Sequence, residues 1–145
     1  MIIRRDTGFL EKVLKGTSIE KYDHYVKEAN LCEDYSLSTY FNEYIAKHGL
    51  KASSIVEKSR LSREYAYQIL NGRKRNPSRD KIICLCIGAQ MPYEYIQRAL
   101  KISQKGILYA KNRRDAAISV HIHNEVYDLE VINEFLKSKG FDPLG

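Results

Sequence analysis

Residues 50–76 read LKASSIVEKSRLSREYAYQILNGRKRN, and the rest of the chain is ordered around them. The spacing predicts two short helices joined by a tight turn. The first covers about residues 52–59, with Ile55 and Val56 inward. Arg60-Leu61 forms the turn, and Ser62 caps the second helix by accepting a hydrogen bond from an otherwise unpaired early N–H. That helix closes at Asn71-Gly72, where glycine takes the left-handed conformation. At about 100° per residue, Tyr65, Ala66 and Ile69 share one side, with Leu70 at its flank. Arg63, Glu64, Tyr67, Gln68 and Asn71 fall on the opposite arc, roughly 140° wide.

The polar arc suits base edges: arginine toward guanine, glutamine or asparagine toward adenine, glutamate toward cytosine. Arg73, Lys74 and Arg75 follow at once, where phosphates would lie. This is the build of a helix-turn-helix reader lying in the major groove. The expected base-reading set is Arg63, Glu64, Tyr67, Gln68 and Asn71. The expected phosphate set is Lys51, Ser53, Ser62, Arg73, Lys74, Arg75 and Arg79. A plain solvated helix face is the structural alternative for the same arc.

Residues 50–85 resemble the lambda-repressor-like (XRE) helix-turn-helix family. The resemblance rests on Leu61-Ser62-Arg63, Ile69, Asn71-Gly72, the basic run with Asn76-Pro77-Ser78, and the apolar helix over 82–87. More narrowly, SREYAYQILNGRKRNPSRDK and the later KNRRDAAI resemble small bacterial regulators with an all-helical C-terminal extension. The resemblance implies an all-α bundle that binds double-stranded DNA and regulates transcription. Three positions depart from it: Ala52 stands where the family often has a bracing glutamine, Val56 where a small alanine is usual at the helix crossing, and Arg60 where the turn usually has glycine. A positive φ at Arg60 would be strained.

A chain of 145 residues with 43% hydrophobic content can bury a core of its own. The longest apolar run, residues 82–87, is far short of a membrane span, and charge returns early in MIIRRDTGFLEK, so a cytoplasmic protein is expected. Cys32, Cys84 and Cys86 suggest buried thiols in a reducing compartment rather than a disulfide framework. The net charge of +6 divides unevenly. Residues 51–115 hold fifteen Lys and Arg against five Asp and Glu, whereas residues 1–50 hold seven against eight and residues 116–145 two against five. A basic excess confined to the middle of the chain is the footprint of a polyanion partner.

Three regions are expected: an N-terminal helical segment over 1–35, a helix-turn-helix domain over 36–104, and a C-terminal helical hairpin over 105–145, all within one globular unit. In the first, Phe9, Leu10, Val13 and Leu14, then Tyr22, Tyr25, Val26 and Ala29, have helical spacing, with Ser18 as N-cap of the second helix. Leu37, Tyr40, Phe41, Tyr44 and Ile45 predict a supporting helix that Gly49 ends. The segment 79–89 is apolar nearly all round and so central, with Ser78 as N-cap or as a phosphate seat beside Arg79. Lys101, Lys105, Lys111, Arg113 and Arg114 line a basic connector that would flank the DNA-facing surface.

SRDKIICLCIGAQMPYEYIQRALKI and RRDAAISVHIHNEVYDLEVINEFLKS align with one inserted residue, matching Asp80 with Asp115, Ile83 with Ile118 and Leu100 with Leu136. A duplicated helical hairpin is expected. The acidic second copy is read as the seat of a homodimer or protein contact, or as closure of the core. His121-x-His123 diverges on a helix and has no neighbouring ligand spacing, and no phosphate-cradling loop or activated nucleophile is marked. The eleven tyrosines are expected mostly at inward positions. The reading is therefore a non-enzymatic DNA-binding regulator without metal or cofactor. The alternative is an interaction adaptor that keeps the fold and does not read DNA.

Overall fold

The computed structural model describes residues 7–24 and 36–145, and these are all-helical, with no strand among them. They divide into two units, residues 1–35 and 36–145. In the first, α1 spans Thr7–Lys15 and a short 3-10 turn covers Ile19–Lys21. Ser18 stands at the cap position without a side-chain hydrogen bond, and the expected continuation through Tyr25, Val26 and Ala29 lies outside the described residues. Among the described residues, no helix is long and apolar enough to cross a membrane.

The second unit contains α2 (Leu37–Lys47), α3 (Ala52–Lys58), α4 (Arg63–Leu70), α5 (Arg79–Gly88), α6 (Tyr93–Ile102), α7 (Arg113–His123) and α8 (Leu129–Ser138). Local chemistry sets most boundaries. Ser36, Ser62, Asn112 and Asp128 cap α2, α4, α7 and α8, each accepting an early backbone N–H. Ser78 is different: it occupies the cap position of α5 but accepts no such bond.

α5 is the central rod. Ile82 to Ile87 are buried without a break, as an apolar perimeter requires. Burying each such aliphatic side chain contributes about 1.5–3 kcal/mol. α3 crosses α5 at Gly88, where a Cβ would lie 2.6 Å from the Ile55 carbonyl oxygen and 2.9 Å from the Ser59 nitrogen. Ser59 is wholly buried there; its hydroxyl donates to the Val56 carbonyl at 2.6 Å and accepts the Leu61 N–H at 3.3 Å. Arg60 then turns the chain with φ +60°, so the left-handed residue of this turn is a non-glycine.

The duplication is visible in the hydrogen bonds. Arg79 donates to both carboxylate oxygens of Asp115 at 3.0 and 2.8 Å, and Arg114 donates to both of Asp80 at 3.0 and 2.8 Å. Each arginine also reaches its own hairpin's tail: Arg79 the carbonyls of Gly106 and Ile107, Arg114 those of Asp142 and Pro143. The Gln97 amide brackets the backbone of Leu108, and the Asn133 amide brackets that of Leu144 in the same way. Gln104 and Gly140 end the second helix of their respective hairpins with positive φ. The two hairpins, α5–α6 and α7–α8, are thus copies locked base to base by reciprocal arginine–aspartate pairs.

Candidate nucleic-acid interface

The seating of α4 fixes what it presents. At its start the Ser62 hydroxyl accepts the Tyr65 N–H at 3.2 Å. At its end the Leu70 carbonyl, an orphan acceptor of the last turn, receives the Ser38 hydroxyl at 2.6 Å and the Asn42 amide at 2.8 Å, both from α2. Gly72 follows with φ +82°. The Lys74 N–H returns to the Gln68 carbonyl, and the Asn71 side chain accepts the Arg73 N–H, each at 2.9 Å. The basic loop is therefore tied to the helix by an Asx-type turn.

On that helix Ala66, Ile69 and Leu70 are buried, whereas Arg63, Glu64 and Asn71 are exposed and Tyr67 and Gln68 half-buried. The five expected base readers share one polar face, internally braced: Arg63 lies 5.6 Å from the Tyr67 ring centroid, and the Gln68 amide donates to Glu64 at 3.5 Å. The Asn71 oxygen is committed to the loop, which leaves its amide N–H groups as donors. Lys51, Ser53, Ser62, Arg73, Lys74 and Arg75 are all exposed. Among the described residues no carboxylate pairs with any of these cations; the ion pairs there are Arg60–Glu130, Arg79–Asp115 and Arg114–Asp80.

Arg79 departs from expectation. Four of its hydrogen bonds go to Asp115, Gly106 and Ile107, so its guanidinium is committed inside the fold and does not join the free cations. Arg114 leaves the basic connector for the same reason, and hydrogen bonding to Asp80 raises its pKa above the ordinary value. Two lysines enter instead. Lys81, on the first turn of α5, lies 5.0 Å from the Tyr65 ring centroid, with Lys74 at 5.4 Å. Lys105 from the connector donates to Asn76 at 2.7 Å, which brings it to the basic loop. Tyr65, placed with the apolar set by its spacing, is accordingly a half-buried seat for two ammonium groups. Of the nine described tyrosines only Tyr40 and Tyr44 are buried, so fewer point inward than their spacing suggested.

The remaining chemistry-bearing side chains have structural partners. His121 hydrogen-bonds the Ala117 carbonyl at 2.8 Å and meets Phe135 edge-on, while His123 lies against Tyr93. No three His, Cys, Asp or Glu side chains gather as a metal site among the described residues. Cys32 lies outside them; Cys84 and Cys86 are buried and free. Burial, with Asp80 adding to it, pushes the Cys84 thiol up to about 12, and burial raises Cys86 further. In a Cys32→Ser variant, neither remaining thiol should react with an alkylating reagent at neutral pH until the protein unfolds. Because the unfolded thiols ionise near 9.0 and the folded ones do not, the unfolded state binds fewer protons above that value and stability falls as pH rises from about 9 toward 12. Rapid labelling of the native variant by mass spectrometry would contradict both statements.

The arrangement can offer long donor and acceptor side chains from one rigid helix face, flanked by six unpaired or ring-bound cations. No family model, curated protein or solved structure matches this chain.

Proposed function

We propose that this protein is a sequence-specific double-stranded DNA-binding regulator of the lambda-repressor-like (XRE) helix-turn-helix family, with α4 as its recognition helix and no enzymatic activity. One observation carries the reading. The outward face of α4 bears Arg63, Glu64, Tyr67 and Gln68, is fastened at both ends, and adjoins Arg73, Lys74 and Arg75, which no described carboxylate neutralises. Crowding unpaired cations costs self-repulsion that a phosphate backbone would relieve. Lys81 and Lys105 extend the phosphate-facing set, and Arg79 leaves it.

Arg63→Ala should weaken specific binding by about 1–3 kcal/mol and relax discrimination at one base position. Arg75→Ala should weaken all sequences alike and reduce the salt slope by about one. Selection from a random duplex pool, followed by titrations of each variant at two salt concentrations, measures both. Equal behaviour of the two variants across sequences would remove the division between reading and holding. The rival reading is an interaction adaptor, favoured by the acidic last hairpin with its exposed apolar residues. An adaptor would retard no duplex even at low salt.

A further inference from the structure

The two hairpins correspond in sequence register and in their arginine–aspartate and amide-bracket hydrogen bonds, but they are not equally covered. In the first, Leu85 and Cys86 of α5 and Ala99 of α6 are 0% exposed. That hairpin carries α3, whose backbone meets Gly88, and α2, whose Tyr44 ring packs edge-on against Tyr95 while Tyr40 donates to the Tyr95 carbonyl. The corresponding residues of the second hairpin are Val120, His121, Phe135 and, for Tyr95, Val131. Val120 is 59% exposed, Val131 48% and Phe135 39%. His121 meets Phe135 edge-on at 4.9 Å and so joins the surface of α7 to that of α8. Among the described residues, no helix takes on the second hairpin the place that α2 and α3 fill on the first, and Val120, Val131 and Phe135 stay exposed there. The occupant cannot approach α7 as closely as α3 approaches α5, because exposed His123 and Asn124 stand where Gly88 and Ala89 do. The accessible apolar seam is therefore Val131–Phe135 on α8.

We infer that this seam is a self-association surface on which α8 of a second copy lies antiparallel. The charges along α8 select that occupant. Asp128 and Glu130 stand at its start and Lys137 and Lys139 at its end, with exposed Glu134 between them on the other edge of the seam. At about 100° per residue, Asp128 and Lys139 flank the same edge of the seam, and Lys139 already lies 5.5 Å from the Phe135 ring centroid. A two-fold antiparallel contact that sets Val131 against the second copy's Phe135 brings each Lys139 to the other copy's Asp128. A parallel contact would leave each Lys139 a helix length away from the other copy's Asp128. The pairing is isologous, the same patch on both chains, which closes at a dimer.

This inference does not depend on DNA reading, and its test uses none. Sedimentation equilibrium of the full chain should show a monomer–dimer equilibrium that weakens with salt. Phe135→Glu should raise the dissociation constant about a hundredfold or more, as loss of a central apolar anchor does. Val131→Lys should act in the same direction, and Lys139→Glu should raise the constant several-fold. All three residues are exposed, so helical circular dichroism should be unchanged in the variants. A wild-type chain that stays monomeric throughout its soluble range overturns the inference, as does undiminished dimerisation of the Phe135→Glu and Val131→Lys variants. A monomer that still retards duplex DNA would leave the proposed function standing.

Discussion

Gly88→Ala is expected to destabilise the 36–145 unit by about 3 kcal/mol and to lower its Tm by roughly 10 °C. The added Cβ would lie 2.6 Å from the Ile55 carbonyl oxygen, 2.9 Å from the Ser59 nitrogen and 3.2 Å from the Ser59 Cα. All three are backbone atoms, so no side-chain rotation relieves the overlap and α3 itself must move. Ser59 leads directly through Arg60 into α4, and its hydroxyl fixes the Leu61 N–H. Displacing α3 therefore tilts α4, and DNA affinity should fall along with stability. Gly106→Ala is the control: its Cβ would meet only the Arg79 Nε, at 4.0 Å. Thermal and urea melts of the two variants, followed by circular dichroism, separate local crowding from a general glycine effect. Co-melting of Gly88→Ala with the wild type would mean that the helices do not approach as closely as described.

The crossing at Gly88 also marks where the sequence stops being legible. A single glycine in an apolar run carries no sign of the backbone that will lie on it; its partner, the 55–59 backbone, is about thirty residues away. By contrast, α3 and α4 could be placed closely, because a serine cap, an apolar stripe and an Asn-Gly stop are local signals. The strained φ at Arg60 could be anticipated for the same reason. The duplication was legible through its register, whereas the way the copies grip one another was not. Arg79 looked like a phosphate ligand because it follows a serine at a helix start. Only the fold brings Asp115 to it, across a full repeat. The places of Lys81 and Lys105 follow the converse rule: periodicity assigns the one to a helix and the other to a basic connector, and only tertiary packing carries them to Tyr65 and Asn76.

Asp115→Ala should destabilise the protein by about 3 kcal/mol, whereas Asp80→Ala should cost only about 1 kcal/mol. The two residues occupy equivalent positions and each receives a two-pronged arginine, so the pairing pattern by itself would give equal effects. Their surroundings differ. The Asp115 side chain is 8% exposed and also accepts the Tyr109 N–H at 3.0 Å, while that of Asp80 is 31% exposed. Removing Asp115 strands a backbone donor and leaves the Arg79 guanidinium only the carbonyls of Gly106 and Ile107. Arg79 is itself 26% exposed, so water recovers part of that loss and the cost stays at the low end for a buried pair. A double-mutant cycle of Arg79→Ala with Asp115→Ala should return a coupling of about 2 kcal/mol. The same cycle for Arg114 and Asp80 should return less. The cycle also tests where Arg79 belongs: a structural arginine shifts the melt and leaves the salt slope of DNA binding unchanged. A reduced slope for Arg79→Ala, with its Tm intact, would restore Arg79 to the phosphate-holding set and dissolve the reciprocal lock between the hairpins.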